Sequence, residues 1–204
     1  MTAPEVERLG SRLREERERR GVTVRGLARE VGVSASMVSQ IETGKVQPSV
    51  STLYAITTTL GITVEELFAP GVDGGPPRAA REELASLRGQ RLGPLVRPPE
   101  RRVLQLDSGV TWELLGELPP HTVDFLLVTY APGGTSSSGG GLMRHPGSEY
   151  GHLLSGELVL TLGFDELRLK PGDSISFDST TPHSYRNDGE EPAVGVWFVI
   201  ERGR

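Results

Sequence analysis

The sequence predicts an α + β fold of two domains, in which five short helices precede an all-β barrel. The spacing of apolar residues is helical up to about residue 68 and alternates from residue 103 onwards. A glycine- and proline-rich stretch separates the two parts. Residues 1–70 carry nine acidic and nine basic residues, whereas residues 103–204 carry fourteen acidic against six basic ones. We therefore expect domains at residues 1–70 and 102–204, joined by a linker at 71–101.

The composition excludes several classes of function. The chain has 204 residues, a net charge of −5 and no cysteine. Disulfides, thiolate metal sites and cysteine nucleophiles are therefore excluded. No window approaches 18 apolar residues, and the first residues do not resemble a signal peptide. We expect a cytoplasmic protein with no membrane association.

Glycines divide the first domain into short helical segments, and small polar residues open them. Ser34 and Ser49 stand at N-cap positions, and Thr63 with Glu66 fits a capping box. Gly32 permits a tight turn between the second and third helices. The predicted helices cover residues 5–20, 24–31, 35–43, 50–60 and 64–68, with a further short helix at 79–88 in the linker.

The third predicted helix has two contrasting faces. Val38 and Ile41 form an apolar side, whereas Ser36, Gln40 and Thr43 recur on the opposite side. The polar side is short, uncharged and rich in hydrogen-bonding groups. It suits a helix that lies in the DNA major groove and contacts base edges.

From Leu9 to Phe68 the chain resembles the helix-turn-helix of lambdoid phage repressors, the XRE-type family of regulators. Many spaced positions carry the resemblance, among them Gly-Val-Ser at 32–34 and Ser-Gln-Ile-Glu-Thr-Gly-Lys at 39–45. Val24 departs from the family, which often has glutamine there. The resemblance implies a bracing ion pair, Arg17 with Glu42. It also implies DNA contacts to bases or phosphates from a set of residues in and beside the third helix: Arg25, Ala35, Ser36, Met37, Ser39, Gln40, Thr43 and Lys45.

The second domain shows the two-residue period of short β-strands. Eight such strands in about a hundred residues predict a closed barrel or jelly roll. The run Pro-Gly-Gly-Thr-Ser-Ser-Ser-Gly-Gly-Gly at 132–141 predicts a flexible loop between two of them. The predicted strands cover residues 103–106, 110–115, 123–130, 150–154, 157–162, 166–169, 174–177 and 193–200.

Two histidines and a glutamate in this domain, His145, Glu149 and His183, are candidate metal ligands. Imidazole and carboxylate groups from different strands can bind Zn, Ni, Mn or Fe. Alternatively, these residues hydrogen-bond a polar organic effector directly. Inward side chains of a small barrel line whatever cavity it encloses. The candidates for an effector pocket are Met143, His145, Glu149, Tyr150, His152, His183, Tyr185 and Trp197, with Trp112 and Phe177 as further aromatic candidates.

The spacing of these residues, with Gly156 and Pro-Gly-Asp at 171–173, resembles the two sequence motifs of the cupin superfamily, which are small β-barrels. Metal-binding cupins usually present His-x-His in the first motif, and here Met143 holds the first of these positions. XRE-type helices followed by a cupin resemble a class of bacterial regulators in which the cupin senses an effector and supports dimerisation.

Together these patterns predict a sequence-specific transcription regulator that senses a small molecule. We expect it to bind near-palindromic double-stranded DNA as a homodimer, because a second helix-turn-helix reaches the adjacent half-site. One alternative is a cupin metalloenzyme of dioxygenase or isomerase type fused to a DNA-binding domain. Another is a DNA-binding dimer whose barrel takes no ligand.

Overall fold

The structure of the chain is a computed structural model that describes residues 3–68, 95–116 and 123–200. The predicted helix at 79–88 and most of the predicted linker lie outside these residues. The five helices of the first domain are α1 (Ala3–Arg19), α2 (Val24–Val31), α3 (Ala35–Glu42), α4 (Val50–Leu60) and α5 (Val64–Phe68). Among the described residues, no helix has the length and apolarity needed to cross a membrane.

The helix ends follow the capping chemistry that the sequence predicts. The Ser34 and Ser49 hydroxyls accept hydrogen bonds from the backbone N–H groups of Met37 and Thr52. Before α5, Glu66 N–H donates to the Thr63 hydroxyl and Thr63 N–H donates to the Glu66 carboxylate, which completes the capping box. Because each cap satisfies N–H groups that have no partner inside the helix, the helix starts are well defined.

The helical domain packs around one apolar core, and α1 crosses α3 at very close range. Leu13, Leu27, Ile41 and Leu53 are almost completely buried in this core. A Cβ atom at Gly10 would lie 2.2 Å from the backbone oxygen of Ile41, so that only glycine allows this crossing.

In the second domain, the described residues form nine strands in two sheets. One sheet has six strands in the order β1-β2-β3-β9-β4-β7, and the other has three in the order β6-β5-β8. The strands are β1 (Val103–Leu106), β2 (Val110–Gly116), β3 (Val123–Tyr130), β4 (Ser148–Ser155), β5 (Leu158–Leu162), β6 (Asp165–Leu169), β7 (Ser174–Asp178), β8 (His183–Arg186) and β9 (Ala193–Ile200).

The all-β fold of the second domain agrees with the prediction, but two details differ. The described strands form two separate sheets that share a core, and hydrogen bonding does not close them into one barrel. The sequence also misses β8, which pairs with β5. Its inward residues are His183 and Tyr185, whose polarity hides the alternation of apolar and polar positions on which strand prediction depends.

The sequence predicts a flexible loop at 132–141, and in the structure backbone hydrogen bonds hold the first half of this segment. Its backbone pairs with β8 and the residue after it. Ser136 N–H donates to the Tyr185 carbonyl, and Asn187 N–H donates to the Gly134 carbonyl. Ser136 is completely buried. The small residues here permit a close approach of backbone to backbone instead of free motion.

The two domains touch through α4 and the segment before it. Ser51 N–H donates to the Ser136 carbonyl, and Asp107 N–H donates to the Pro48 carbonyl, both at 2.9 Å. The Arg102 guanidinium donates to the carbonyl of Phe68, the last residue of α5. The helical domain is therefore held directly against the β domain.

Candidate functional site

The outward face of α3 is exposed and uncharged. Ser36, Gln40 and Thr43 lie on it, while Val38 and Ile41 are buried beneath it. The Gln40 amide group donates to the Ser36 hydroxyl at 3.4 Å, a long contact that an incoming partner can replace. The Thr43 hydroxyl donates to the Ser39 carbonyl at 2.9 Å, so its oxygen already has a partner within α3.

The remaining residues expected to contact DNA surround this face. Met37 and Ser39 are exposed on α3, and Lys45 is exposed just after it. Arg25 is exposed in the first turn of α2. Ala35 is half-buried and packs against the core, so it supports the start of α3 as well as bordering the face.

A buried ion pair braces α3 from behind. Arg17 Nε and Nη2 donate to the two carboxylate oxygens of Glu42 at 2.6 and 2.9 Å, and Arg17 Nη1 donates to the Val22 carbonyl. Both charged residues are only 7% exposed. The hydrogen bonds to Glu42 outweigh burial and raise the pKa of Arg17 above its ordinary value. The pair therefore fixes the end of α3 relative to α1 with two parallel charged hydrogen bonds.

In the β domain, the structure brings the three candidate ligands together. His145 Nε2 and His183 Nε2 lie 2.8 and 3.0 Å from the same oxygen, Glu149 Oε1. All three side chains are almost completely buried. The Tyr185 hydroxyl donates to the other oxygen, Glu149 Oε2, at 2.8 Å, and Trp197 Nε1 donates to the Tyr185 hydroxyl.

The charges in this cluster depend on one another. Burial alone would raise the pKa of Glu149, but the close contacts and positive charge of the two histidines outweigh it and lower that pKa to about 2. Burial opposes the protonated form of His183, yet the adjacent Glu149 raises the pKa of His183 overall. Burial and the charge of Glu149 both raise the pKa of Tyr185, which keeps its hydroxyl a donor. The cluster therefore has an ionised carboxylate at its centre.

A small cavity adjoins this cluster. Its volume is about 20 Å³, which is room for a single water molecule. Aromatic and apolar side chains form most of its wall, and they come from both domains: Val50, Tyr54, Trp112, Leu126, Val128, Tyr130, Met143, Glu149, Tyr185, Trp197 and Val199.

Comparisons with known proteins match both domains. Residues 8–68 match a family described as "Helix-turn-helix domain", and residues 126–199 match "Cupin domain". The HTH-type transcriptional regulator PuuR of Escherichia coli is 29% identical over 94% of this chain and 91% of its own length. The chain therefore combines an XRE-type helix-turn-helix domain with a C-terminal cupin domain, and it is homologous to PuuR.

Two further proteins match nearly the whole chain. The HTH-type transcriptional regulator SutR of Escherichia coli is 25% identical over 90% of this chain and 89% of its own length. A crystal structure of an HTH_3 family transcriptional regulator from Vibrio cholerae superposes with a TM-score of 0.66. It covers 98% of this chain and 99% of its own at 22% identity, and so it shares the fold. Both Escherichia coli relatives are named HTH-type transcriptional regulators, and each aligns with this chain across both matched domains.

Four of the residues expected in an effector pocket of this XRE–cupin protein line the cavity itself. They are Met143, Glu149, Tyr185 and Trp197, with Trp112 beside them. His145 and His183 are linked to the cavity through Glu149. Phe177 makes an edge contact with the His183 ring but does not line the cavity.

Tyr150 and His152 lie outside the pocket, which corrects the expectation for both. Their side chains are exposed on the outer face of the six-stranded sheet. His152 Nδ1 hydrogen-bonds the Ser174 hydroxyl there. Because successive side chains of a strand point to opposite faces, the inward direction of Glu149 sends both residues outwards.

The sequence did not indicate the part that α4 has in the pocket. The Tyr54 ring lies parallel to the His145 ring, with 4.1 Å between the ring centroids and 6° between the planes. It also lies 5.6 Å from the Trp112 ring. Val50 and Tyr54 are spaced like ordinary core residues of an amphipathic helix, and no local signal separates a residue that packs within its domain from one that packs against another.

The three ligand atoms fit a divalent metal. They lie within 4.8 Å of one another, and two histidines with one carboxylate make up the facial set known from non-haem iron sites. His183 Nδ1 donates to the Thr181 carbonyl, which leaves Nε2 for the site. Although it is buried and close to Glu149, His183 Nε2 makes no aligned hydrogen bond with any described residue. A cation between these atoms would satisfy both the nitrogen and the carboxylate.

Proposed function

We propose that this XRE–cupin protein is an effector-responsive regulator that binds a near-palindromic operator as a homodimer and senses a small molecule in the cupin pocket. We assign DNA binding to residues 1–70, linkage to 71–101, and sensing and dimerisation to 102–204. The observation that carries the proposal is the pairing of two features. An exposed polar face on α3 is braced from behind, and the neighbouring helix α4 forms a wall of the pocket.

The exposed face of α3 has the chemistry of direct base contact. Gln40 offers both a donor and an acceptor, and can bond the N6 and N7 atoms of an adenine edge together. Ser36 can bond a neighbouring base, with Ala35, Met37, Ser39 and Thr43 around it. The positive side chains of Arg25 and Lys45 flank the face and suit contacts to phosphate oxygens.

Gln40→Ala is expected to weaken binding to the specific operator by about 5- to 150-fold, the range for one bidentate base contact. Binding to unrelated duplexes should change less than about twofold, because phosphate contacts supply nearly all of that affinity. The measurement is a fluorescence-anisotropy titration on operator and scrambled duplexes at one fixed salt concentration.

Gln105→Ala is the matched control for this measurement. It removes the same amide from an exposed site on β1 of the cupin domain and should leave both affinities unchanged. Equal losses on the operator and the scrambled duplex for Gln40→Ala would exclude a base-contacting role.

An apolar patch on the six-stranded sheet supports the homodimer. Phe125, Phe198 and Tyr150 are directly opposite one another on β3, β9 and β4, and the Phe125 and Phe198 rings stack at 4.4 Å. Phe198 and Ile200 are each 39% exposed, and Tyr150 is 47% exposed. Because a two-fold dimer uses the same surface on both partners, a flat apolar sheet face near the centre of the sheet is well suited to it.

Phe198→Asp is expected to convert the dimer to a monomer, since it would bury two carboxylates in the interface. Sedimentation velocity at micromolar concentration measures this directly. Phe164→Asp places the same charge on a fully exposed aromatic residue at the β5–β6 turn and should leave the dimer intact. Dissociation by the Phe164 variant alone would locate the interface elsewhere.

We further propose that His145, Glu149 and His183 hold Zn, Ni, Mn or Fe in the sensing pocket. A bound metal would supply a Lewis-acidic point for polar effector groups. The chain's own residues would orient it. The Thr181 carbonyl fixes the His183 ring, and the Tyr185 hydroxyl fixes the free oxygen of Glu149.

Sensing suits this pocket better than catalysis. Tyr54 of the DNA-binding domain closes over His145 and forms part of the pocket wall. A pocket whose wall belongs to another domain is arranged to report occupancy to that domain.

A further inference from the structure

We propose that Tyr54 occupies the effector pocket as a tethered ring, and that an effector carrying a planar ring of about phenol size takes its place and detaches α4 from the cupin. The proposal rests on the cupin pocket being the effector site. It adds a binding residue from the DNA-binding domain, a class of ligand, and a route by which occupancy reaches α3.

The stacking geometry shows what the pocket accepts. The Tyr54 ring is almost coplanar with the imidazole of His145 and tilted against the indole of Trp112. Offset stacking and edge contacts of this kind are specific to flat rings. Tyr54 is only 5% exposed, so its ring lies inside the wall and not at the rim.

The space left in the cavity supports displacement over simple addition. Pockets that take organic ligands usually measure about 300–1,000 Å³. The cavity beside Tyr54 holds about 20 Å³. A single water or metal ion fits with Tyr54 in place, but an organic ring does not. Removal of the Tyr54 ring opens a slot of its own shape between His145 and Trp112.

The chain connects this slot to the DNA-contacting helix by a short path. Only six residues, 43–48, separate α3 from the Ser49 cap of α4. Lys45 N–H, in this segment, donates to the carbonyl of Gln40 in α3. Pro48 and Ser51, at the start of α4, carry the hydrogen bonds to Asp107 and Ser136 of the β domain. Expulsion of Tyr54 therefore breaks the domain contact next to the helix that meets DNA.

The absence of cysteine in the chain makes the docked state directly measurable. Arg29 on α2 and Phe164 at the β5–β6 turn are exposed, one on each domain. The substitutions Arg29→Cys and Phe164→Cys therefore provide two sites for spin labels. Pulsed electron double resonance then gives the distance between the domains. Labelled protein is diluted into an excess of unlabelled protein, so that a dimer carries only one labelled protomer. With Tyr54 present we then expect one narrow distribution.

Variants at residue 54 test the role of the ring. Tyr54→Ala and Tyr54→Leu should both broaden the distance distribution, because neither side chain stacks. Tyr54→Phe keeps the ring and should leave the distribution narrow. If Tyr54→Ala is too unstable to label, Tyr54→Leu fills similar space without a planar ring and gives the same test. A narrow distribution in the folded Leu variant would overturn the proposal.

Phenol is the probe for the vacated slot, with cyclohexanol as a probe of similar size that is not planar. We expect the Kd of phenol to be at least tenfold lower for Tyr54→Ala than for wild type, because the tethered ring competes with phenol in wild type. Cyclohexanol should show a smaller difference. Ile56→Ala is the control, because it creates a cavity in the helical core instead of the pocket. It should not bind phenol more tightly than wild type does.

Equal phenol affinities for wild type and Tyr54→Ala would also overturn the proposal. Operator affinity measured on the same proteins separates this inference from the proposed function. Wild-type protein that shows no specific operator binding would contradict the proposed regulator function. An unchanged distance between the domains in the Tyr54 variants would contradict only the role of Tyr54.

Discussion

Arg17→Ala is expected to destabilise the helical domain by about 3–5 kcal/mol, because it leaves the Glu42 carboxylate buried without its partner. Glu42 is the last residue of α3, so the same change should loosen that helix and reduce operator affinity. Among the described residues the α-helices all lie within 3–68, so the helical circular-dichroism signal during urea unfolding reports on this domain.

Arg14→Ala is the matched control for Arg17. It removes the same charge from the same helix, but its partner Glu18 is exposed, and such pairs contribute about 0–1 kcal/mol. The double variant Arg17→Met with Glu42→Leu should recover much of the lost stability, since it removes both charges together. Similar losses for Arg14→Ala and Arg17→Ala would contradict the bracing role of the buried pair.

Glu149→Gln is expected to reduce divalent-metal affinity by more than the 10- to 100-fold that loss of an outer hydrogen-bond partner costs. The amide keeps the shape of the side chain but lacks the charge that binds a cation between His145 and His183. Elemental analysis after equilibration with each of Zn, Ni, Mn and Fe, followed by calorimetric titration, measures the change.

Two further variants define what the metal measurement means. Glu157→Gln removes an exposed carboxylate just after β4 and should leave metal content unchanged. Met143→His should raise the affinity, because Met143 lines the cavity, pairs with His183 across an isolated bridge, and holds the position of a histidine in metal-binding cupins. Wild-type protein that retains none of the four metals would contradict the metal proposal and leave direct hydrogen bonding to an effector.

Local sequence patterns were sufficient to predict those helices and strands that have one side against the core and the other side in water. The strand over residues 123–130 and the helix over residues 50–60 have the bounds that their periods predict. Thr63 and Glu66 form the expected capping box because both partners lie within one turn of chain. These features depend on residues that are close in sequence, and they can therefore be predicted from the sequence.

The candidate site was predictable only in part. His145, Glu149 and His183 converge as their spacing suggests. Tyr150 and His152 were assigned to the pocket although the two-residue period, counted from Glu149, places them outside it. The prediction assigned these two residues by their chemical type, whereas the alternation of side chains along the strand determines which face they occupy.

Contacts between distant parts of the chain left no local trace. The segment at 132–141 has the composition of a flexible linker, yet its backbone pairs with β8 and meets α4. The stack of Tyr54 on His145 joins residues of two domains, and in sequence Tyr54 is simply another apolar position of α4. The pairing with β8 forms as the β domain folds, and the contacts with α4 form where the two domains meet; residue periodicity encodes neither.

Both tryptophans of the chain, Trp112 and Trp197, line the pocket, so the protein carries a built-in optical reporter of that cavity. Trp197 Nε1 is hydrogen-bonded to the Tyr185 hydroxyl, and Trp112 lies beside the Tyr54 ring. A compound that enters the cavity changes the surroundings of both indoles at once. Intrinsic emission can therefore screen unlabelled compound libraries against the full-length chain without any engineered dye.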